Sequence, residues 1–260
     1  MAKKGKKSGE ELFEEYYASR WEERWDSLKA SLFEEVSHYS LTENLEQAYY
    51  LDEASLYPPK ELDVQEGESV LDMCAAPGGK SLILATTLKG SGSLTVNDLS
   101  PDRRRRLRQV MENHLRPEWQ GNIRYTGYDG SLWYRHEPDW YDKILLDAPC
   151  SSERHVLNSP EHLKKWTPGR IKSLAPRQFA LLCSALETVK PGGLIVYSTC
   201  ALAAEENDLI IERLHKKRKG RFTVEPTLFT AGEETRYGRH ILPDRDGAGP
   251  IYYCRIRRLS

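Results

Sequence analysis

The chain has 260 residues, of which 38 are Lys or Arg and 39 are Asp or Glu, and its formal net charge is −1. This length fits one sizeable domain with a small appendage, and no apolar run reaches the roughly 18 residues that a membrane span needs. We expect no secretory signal in the Lys-rich start and, given Glu10 and Glu11, no mitochondrial presequence. Five cysteines without regular spacing predict a reducing compartment, and we expect a cytoplasmic protein.

The charges are unevenly distributed along the chain. Residues 1–68 hold 8 basic and 17 acidic residues, whereas residues 69–260 hold 30 basic and 22 acidic ones. The near-neutral total therefore combines an acidic first quarter of net charge −9 with a body of net charge +8. Such a split is typical of a body that binds a polyanion, although a solvated acidic helix beside an ordinary surface explains it equally well.

The first part of the chain is predicted to be a helical segment. Residues 1–10 are rich in Lys, Gly and Ser, and we expect a disordered basic tail there. Over residues 11–36 apolar side chains recur every three or four positions, which predicts one amphipathic helix whose apolar stripe packs on the body or docks a partner protein. The stripe consists of Phe13, Tyr17, Trp21, Trp25, Leu28, Leu32 and Val36. Pro58 and Pro59 mark a joint before the main domain.

Strands and helices alternate in the main domain, which we assign to residues 66–260 after a helical segment over 11–65. Strands are predicted at 69–73, 93–98, 122–126, 141–147 and 194–199, and helices at 80–89, 101–114, 176–189 and 205–215. Residues 221–224 and 251–257 predict a late antiparallel hairpin. The alternation predicts an α/β fold with a Rossmann-like, mostly parallel sheet and helices on both faces.

A glycine-containing loop follows the first predicted strand of the main domain. Its sequence, DMCAAPGGK over 72–80, has Cys74 where a phosphate-binding P-loop has its first glycine, and it lacks the dinucleotide fingerprint G-x-G-x-x-G. Asp98 ends the second strand, Arg103 opens the next helix, and Asp129 follows the third strand. Either carboxylate alone would favour a simple turn, but the three residues together predict a nucleoside cofactor without a phosphate chain, such as S-adenosylmethionine.

Two further strands lead into a cysteine. Asp147 precedes Cys150 after the fourth strand, and Cys200 follows the fifth. Because neighbouring parallel strands end at the same edge of a sheet, we expect both thiols to face the cofactor crevice together with Asp147 and Lys80. A thiolate that adds to carbon 6 of cytosine makes carbon 5 able to take a methyl group, and an acid at ring N3 stabilises that adduct. Two thiols can divide addition and release between them.

These motifs resemble those of the Nop/Sun family of RNA cytosine carbon-5 methyltransferases. The similarity extends over residues 50–258 and depends on DEASLYP at 52–58, DMCAAPGGK at 72–80, ND at 97–98, DAPCSSERH at 147–155 and YSTC at 197–200. The TC motif favours RNA over DNA as the substrate. The SSERH continuation departs from the Ser-Gly-x-Gly type of loop in many members and resembles the short, mitochondrial-type branch.

The resemblance implies a class I methyltransferase fold, S-adenosylmethionine as the cofactor and a role for each motif. It makes Cys200 the nucleophile on carbon 6 and Cys150 the residue that assists release, and it places Asp147 and Lys80 at the junction of cofactor and cytosine. The cofactor-binding residues that it implies are Cys74, Ala75, Ala76, Pro77, Gly78, Gly79, Lys80, Asp98, Arg103, Asp129, Gly130 and Asp147.

Basic clusters and aromatic side chains are candidates for RNA contact. The clusters are 213–221, 255–258 and 103–108. Lysines and arginines there would bind phosphates, although basic helix faces are usually only solvated. The aromatic candidates for stacking a base are Trp133, Tyr134, Trp140 and Trp166, although a tryptophan more often belongs to a core.

We therefore predict an RNA (cytosine-5)-methyltransferase that acts on rRNA or, nearly as readily, on tRNA. One alternative is a non-catalytic RNA-binding or ribosome assembly factor that retains the fold. Another is a methyltransferase that acts on small molecules or proteins. No metal site and no membrane partner are predicted.

Overall fold

The computed structural model describes residues 7–260, and residues 1–6 of the predicted tail lie outside them. Helix α1, Gly9–Trp21, begins within the predicted tail because Ser8 caps it. The Ser8 hydroxyl accepts from the Glu11 N–H at 3.2 Å, and the Glu11 carboxylate accepts from the Ser8 N–H at 2.7 Å. This reciprocal pair satisfies two N–H groups at the helix start and so extends the helix toward the amino terminus.

The single helix predicted over 11–36 is instead two helices. A one-turn 3-10 segment, Glu22–Arg24, separates α1 from α2, Trp25–Ser31. The first residue of that turn has a φ of +48°, which lies outside the right-handed helical region and interrupts the helix. Because the chain bends there, the first residue of α2 stacks on Tyr17, with ring centroids 5.3 Å apart.

The apolar stripe of this segment packs on the body, one of the two arrangements predicted for it. Trp166, Ile171 and Leu202 of the main domain join the stripe in one buried cluster. The stripe residues in that cluster are Phe13, Tyr17, Trp25, Leu28 and Leu32. The N-terminal helices therefore pack against segments close to the two cysteines.

A short antiparallel hairpin lies in the segment predicted to be helical. Its strands are β1, His38–Leu41, and β2, Tyr49–Asp52. Helix α3, Tyr57–Glu61, follows the hairpin. Pro58 and Pro59 occupy the first turn of α3 instead of a joint, because a proline at a helix start loses no intrahelical hydrogen bond.

A nine-stranded sheet forms the centre of the part of the chain that the structure describes. Its strands are β3 Ser69–Asp72, β4 Ser93–Asn97, β5 Ile123–Thr126, β6 Tyr141–Asp147, β7 Val189–Thr199, β8 Phe222–Glu225, β9 Glu233–Glu234, β10 Arg239–Ile241 and β11 Ile251–Arg258. The remaining helices are α4 Gly79–Leu88, α5 Pro101–His114, α6 Glu153–Leu157, α7 Pro160–Lys164, α8 Gly169–Thr188, α9 Asp208–Lys217 and α10 Pro243–Asp246.

The sheet is parallel in its first part and antiparallel in its second. The strand order is β5-β4-β3-β6-β7-β11-β10-β9, and the first five of these strands pair in parallel. Strand β11 runs antiparallel to β7, and its other side pairs with β10 through one half and with β8 through the other. This arrangement confirms the predicted fold class, including the late antiparallel hairpin.

Helices cover both faces of the sheet, as expected for parallel strands that are apolar on both sides. Helices α3, α4 and α5 pack on one face, where Leu82 and Leu107 are fully buried. Helices α8 and α9 pack on the other face around Leu182 and Ile211. Among residues 7–260 no helix combines the length and the apolar composition that a membrane span requires.

Helix α8 begins at Gly169 and not at Pro176, where its start was predicted. Pro176 lies inside the helix. A proline there removes the hydrogen bond to the carbonyl four residues earlier, which belongs to the exposed Lys172, and water can solvate that carbonyl. The helix ends at Thr188, and the PGG sequence at 191–193 already belongs to β7.

Candidate active site

The loops that carry the predicted site residues leave the carboxyl ends of β3, β4, β6 and β7, which are neighbours in the sheet. Ligands of such sheets bind at this edge. Two cavities open here, and Cys74 belongs to the wall of both. The first contains Cys74, Ala75, Ala76, Pro77, Gly79, Lys80 and Asp147 of the predicted set, and the second contains Asp98, Arg103, Asp129 and Gly130.

Glycines are required by the backbone in the loop over 72–80, called the cofactor loop below, and beside the second cavity. Gly78 precedes α4 with a φ of +121°, a conformation that side chains other than glycine rarely adopt. A Cβ atom on Gly130 would lie 2.8 Å from Leu181 Cδ2 and 3.0 Å from Met73 Cγ. A side chain at residue 130 would therefore displace Leu181 or Met73, which also line this cavity.

The polar residues after β4 and β5 close turns and also face the second cavity. Asp98 is buried, accepts from the Ser100 N–H at 2.9 Å and pairs with the Arg103 guanidinium at 3.2 Å. Arg103 also donates to the Ala76 carbonyl at 2.6 Å and so ties this turn to the cofactor loop. Asp129 uses one oxygen to accept from the backbone two residues later, at 3.0 Å. The turn predicted as the alternative role is present at both carboxylates.

Asp72 is a residue of the first cavity that sequence reasoning did not assign to the cofactor. One oxygen accepts from the Ser81 hydroxyl at 2.7 Å, and the other is buried without a partner among the described residues. Burial raises the pKa of Asp72 to about 7. The sequence signal that could have indicated Asp72 is its position at the end of β3, because a carboxylate there lies at the edge of the sheet where ligands bind. An unpartnered buried oxygen suits a cationic ligand group.

Tyr128 and Arg177 also line the second cavity and were missed. The Asn97 side chain holds the Tyr128 backbone on both sides, accepting from its N–H at 2.9 Å and donating to its carbonyl at 3.1 Å. The Tyr128 ring stacks on His136 with centroids 4.6 Å apart. Asn97 and Tyr128 directly precede predicted residues and could have been found, whereas Arg177 reaches the cavity from α8 and has no local sequence signal.

Lys80 and Asp147 form an ion pair in the wall of the first cavity, close enough to Cys200 for Lys80 and that thiol to interact electrostatically. The Lys80 ammonium donates to Asp147 Oδ2 at 2.8 Å, and Ser198 donates to Asp147 Oδ1 at 2.8 Å. Burial alone would lower the pKa of Lys80, but the charge of Asp147 and its hydrogen bond raise it above the ordinary value. Lys80 therefore stays protonated and supplies a fixed positive charge.

The two predicted thiols lie next to each other. Cys150 Sγ and Cys200 Sγ are 2.8 Å apart, within hydrogen-bond reach and beyond the about 2.05 Å of a disulfide bond. The hydrogen bond with Cys200, and then burial, raise the pKa of Cys150 well above its ordinary value. Cys150 therefore keeps its proton, and either sulfur can be the donor of this hydrogen bond.

Ser152 adds a hydroxyl group to this pair. Its Oγ lies 3.1 Å from Cys200 Sγ and 3.5 Å from Cys150 Sγ. The residue has a φ of +54° and precedes α6, so its side chain turns back toward the thiols. In the sequence Ser152 belongs to SSERH, the segment that differs from the Ser-Gly-x-Gly type of loop in many family members. No local sequence pattern indicated that it would reach Cys200.

The basic cluster 255–258 has a role in the fold. Arg255 is buried and lies 3.3 Å from Glu225 and 3.6 Å from Glu61. Arg257 also pairs with Glu225, and Arg258 donates to the Val189 carbonyl at 2.6 Å. These bonds hold β11 to its neighbours and bury Arg255 and Arg258, which favours a role in the fold over the RNA contact expected for this cluster.

The other two clusters lie at opposite ends of the strands of the sheet. The cluster 213–221 begins in α9, which leaves the thiol edge and, over its ten residues, runs about 15 Å toward the amino ends of the strands. Arg221 at its end pairs with Glu187 at 2.7 Å. The cluster 103–108, in contrast, begins beside Asp98 at the ligand edge. Only this cluster adjoins the cavities.

The aromatic candidates lie mostly away from the thiols. Trp133 and Trp166 are buried in the core, as the alternative for them predicted. Trp140 is 58% exposed but precedes β6 at the amino edge of the sheet. Tyr134 is partly exposed, and its backbone N–H donates to Ser184 of α8 at 3.3 Å. The structure places none of these four rings beside the cysteines.

Comparison with known proteins assigns the family. Residues 59–257 match the family model described as 16S rRNA methyltransferase RsmB/F. The chain belongs to this family. The match includes the cofactor loop, both cysteines and most of the antiparallel strands, and it confirms the resemblance to the Nop/Sun family.

Curated relatives and solved structures agree with this assignment. The chain is 35% identical over 231 residues to the 5-cytosine rRNA methyltransferase NSUN4 of Xenopus laevis, covering 82% of this chain and 56% of the relative. It is 42% identical over 172 residues to the mitochondrial tRNA (cytosine(34)-C(5))-methyltransferase of Danio rerio, covering 65% and 46%. The chain thus spans about half the length of these relatives. A methyltransferase homolog protein from Pyrococcus horikoshii shares the fold, with a TM-score of 0.75, 24% identity, and 98% and 96% of the two chains covered.

Proposed function

We propose that this protein is an S-adenosylmethionine-dependent RNA (cytosine-5)-methyltransferase, with rRNA favoured over tRNA as the substrate. The observation that carries the proposal is the thiol pair, 2.8 Å apart and beside the Lys80–Asp147 ion pair. A non-catalytic RNA-binding factor needs neither thiol. The family description and the Xenopus relative name rRNA, whereas the Danio relative names tRNA, and this balance supports the order of preference.

The residues present fit S-adenosylmethionine. Asp72 offers an unpartnered buried oxygen to an ammonium group, and Asp98 and Asp129 lie where carboxylates meet ribose hydroxyls and an adenine amino group. Gly130 lets the backbone lie close to Leu181 and Met73, which line the same cavity. The neighbouring loop has no phosphate-binding pattern, in agreement with a cofactor that has no phosphate. When bound, the cofactor supplies the methyl group on a positively charged sulfur.

The addition step uses Cys200. Its thiolate forms a bond to carbon 6 of cytosine, and the displaced electron pair moves through the ring to N3, where a hydrogen bond from the protonated Lys80, held by Asp147, stabilises the negative charge. Cys150 and Ser152 both lie within donor distance of Cys200 Sγ and stabilise its charge before addition. Carbon 5 is then electron-rich enough to accept the methyl group.

The release step uses Cys150. Its pKa is raised mainly by its hydrogen bond with Cys200, and this cause disappears once Cys200 is bonded to carbon 6. Cys150 can then lose its proton to solvent and accept the proton of carbon 5. The electron pair of that C–H bond forms the ring double bond, and the carbon–sulfur bond breaks with its electrons leaving on Cys200. The hydrogen bond with Cys200 therefore keeps Cys150 protonated before addition, and the loss of this bond after addition allows Cys150 to act as a base.

The test compares wild type, Cys200→Ala and Cys150→Ala with methyl-labelled S-adenosylmethionine and separated rRNA and tRNA. We expect no methylation by Cys200→Ala, because the nucleophile is missing. We expect Cys150→Ala to accumulate a covalent protein–RNA species on a denaturing gel, because release fails. Label in rRNA would support the preferred substrate, and label in tRNA alone would reverse it. Full methylation by Cys200→Ala would overturn the mechanism.

RNA approach and location are parts of the same proposal. We propose that RNA reaches the site over the exposed Arg103, Arg106, Lys172 and Arg177, which lie on the parts of α5 and α8 that adjoin the ligand edge. Phosphate binding by these side chains would be sensitive to salt.

We propose a cytoplasmic location on the basis of five unpaired cysteines, which cell fractionation can test. A partner protein could use only the acidic face of the N-terminal helices, because the apolar stripe is largely buried.

A further inference from the structure

Glu153 is a fully buried carboxylate without a paired cation among residues 7–260. Three donors satisfy it. The Tyr17 hydroxyl and the Ser151 hydroxyl donate to Oε1, and the Leu202 N–H donates to Oε2 at 3.0 Å. These donors come from three separate segments: helix α1, the loop after β6 and the loop after β7. One buried side chain therefore joins the N-terminal helix to both loops that carry thiols.

The loop of the first thiol is held on both sides of Cys150. Ser151 donates its hydroxyl to Glu153 and its backbone N–H to Glu206 at 3.0 Å. On the other side the Pro149 carbonyl accepts from Gln178 at 2.9 Å, and Gln178 also donates to Glu206 at 2.7 Å. The main chain on either side of the thiol residue is thus fixed by buried groups.

The loop of the second thiol is fixed to the same carboxylate. Leu202, whose N–H binds Glu153, follows Cys200 by two residues. Thr199 on the other side donates to Asn207 at 2.6 Å, and Asn207 donates back to the Ala201 carbonyl at 2.9 Å. Because Glu153 bonds to both loops, it fixes how far apart they lie. The sulfur–sulfur contact of 2.8 Å depends on that separation.

Tyr17 holds Glu153 from the side of α1. Its ring is fully buried and packs on Phe13, Trp25 and Trp166, with centroids 4.6, 5.3 and 5.9 Å away. Burial, together with the charge of Glu153, raises the pKa of Tyr17 well above its ordinary value, so the hydroxyl remains a donor. A rigid aromatic cluster therefore aims one hydroxyl group at the carboxylate that joins the two thiol loops.

We propose that Tyr17 and Glu153 are positioning residues for the thiol pair, and that α1 is therefore a part of the active site. Neither residue lines the cofactor cavities, and they act through the backbone of the loops that carry Cys150 and Cys200. Loss of either contact should slow the steps that need both sulfurs and leave cofactor binding unchanged. The consequence for methyl transfer rests on the proposed function, whereas the consequence for the thiol pair does not.

A matched control lies one residue away on the same helix. The Tyr16 hydroxyl donates to Glu205 at 2.9 Å, so Tyr16→Phe also removes a phenol–carboxylate hydrogen bond. Glu205 lies in the one-turn 3-10 helix Ala204–Glu206, pairs with Arg20 at the surface, and its carboxylate bonds to no group beside either thiol among the described contacts. Tyr17→Phe and Glu153→Gln are therefore compared with Tyr16→Phe and Glu205→Gln, each below the start of its thermal unfolding.

The experiment has one readout with RNA and one without it. In single turnover we expect Tyr17→Phe to lower the rate of methyl transfer at least tenfold, with the cofactor KM within twofold of wild type and both controls within twofold in rate. Without RNA, an azo oxidant such as diamide takes two electrons and two protons from Cys150 and Cys200 and joins them in a disulfide. We expect this bond, followed by mass spectrometry, to form at least fivefold more slowly in Tyr17→Phe and Glu153→Gln than in the controls.

The outcomes separate this proposal from the proposed function. If Tyr17→Phe matches Tyr16→Phe in both readouts, the positioning role is overturned. If wild type methylates no RNA but disulfide formation still depends on Tyr17 and Glu153, the proposed function fails and the positioning role stands. Glu153→Gln keeps the test decisive, because its amide has one accepting oxygen for the three donors that bind two carboxylate oxygens in the wild type. Equal disulfide rates in Glu153→Gln and Glu205→Gln would overturn the proposal independently of α1.

Discussion

The two halves of the candidate site are built in different ways. The cofactor half consists of the loops after β3, β4 and β5, and the thiol half consists of the loops after β6 and β7. In the cofactor half, Asp98 and Asp129 close turns with residues of their own loops, and Asp72 keeps one oxygen free of described partners. In the thiol half, buried carboxylates bond to segments far away in the sequence, including α1.

This difference separates binding from positioning. A half that recognises a ligand must leave polar groups free for it, because a group that is satisfied within the protein has nothing to offer. A half that holds two sulfurs in contact gains from fully bonded loops, since small displacements in a reacting geometry cost large factors in rate. Lys80 of the cofactor half and Asp147 of the thiol half form the ion pair that joins them. The three predictions below test this division.

The largest effect is expected at the ion pair. Lys80→Met removes the positive charge that faces Asp147, and we expect methyl transfer to fall about 10²–10³-fold, the usual loss when a charge-stabilising donor is removed. Lys89→Met just after the same helix is the control, because Lys89 is exposed and, within residues 7–260, forms its ion pair with Glu66. Single-turnover rates check the prediction. Near-wild-type turnover by Lys80→Met would show that the two halves work without this link.

A smaller, pH-dependent effect is expected at Asp72. Its pKa of about 7 lies above the ordinary value, so the carboxylate that attracts a cation forms only as pH rises through 7. Cofactor binding to wild type should therefore tighten about tenfold from pH 6 to pH 8, because the deprotonated fraction of a carboxyl group with this pKa rises about tenfold over that range. Asp72→Asn should remove this dependence and bind about tenfold more weakly at pH 8. Calorimetric titration at both pH values checks it, and an unchanged slope in Asp72→Asn would exclude the assignment.

The smallest effect is expected at the surface. Among residues 7–260 the Arg106 guanidinium has no hydrogen-bond or ion-pair partner, and it lies on α5 near the cofactor loop. Arg106→Ala should weaken RNA binding a few-fold and lower the salt slope by about one. Lys219→Ala, at the amino edge of the sheet, should change neither quantity. The reverse result would place the RNA on the cluster 213–221 instead.

Local sequence patterns predicted the fold and the places where the motifs lie. Alternating strands and helices predicted the parallel sheet, because buried parallel strands and their crossover helices carry apolar patterns of their own. Lys80, Asp147, Cys150 and Cys200 were predicted to meet because strand ends share an edge, and the structure places them together. Each of these inferences needed only the residues of one segment and the general rule for parallel sheets.

Features that depend on distant segments were not predictable in this way. The bond between Tyr17 and Glu153 joins residues 136 positions apart, and Ser152 reaches Cys200 only because of its left-handed backbone. Arg255 belongs to a basic cluster typical of a phosphate-binding surface, but inside the fold it pairs with the buried Glu61 and the partly buried Glu225. The sequence shows which side chains are charged and how they are spaced, but the partner that each one binds depends on tertiary packing.

The most direct test of the central claim is the position of the covalent bond. Cys150→Ala is incubated with S-adenosylmethionine and substrate RNA, digested with nuclease and protease, and analysed by mass spectrometry. The proposed mechanism predicts one peptide that contains Cys200 and carries a methylated cytidine nucleotide, because addition and methyl transfer proceed and release fails. A nucleotide on any other residue, or methylated RNA that forms without any covalent species, would contradict it.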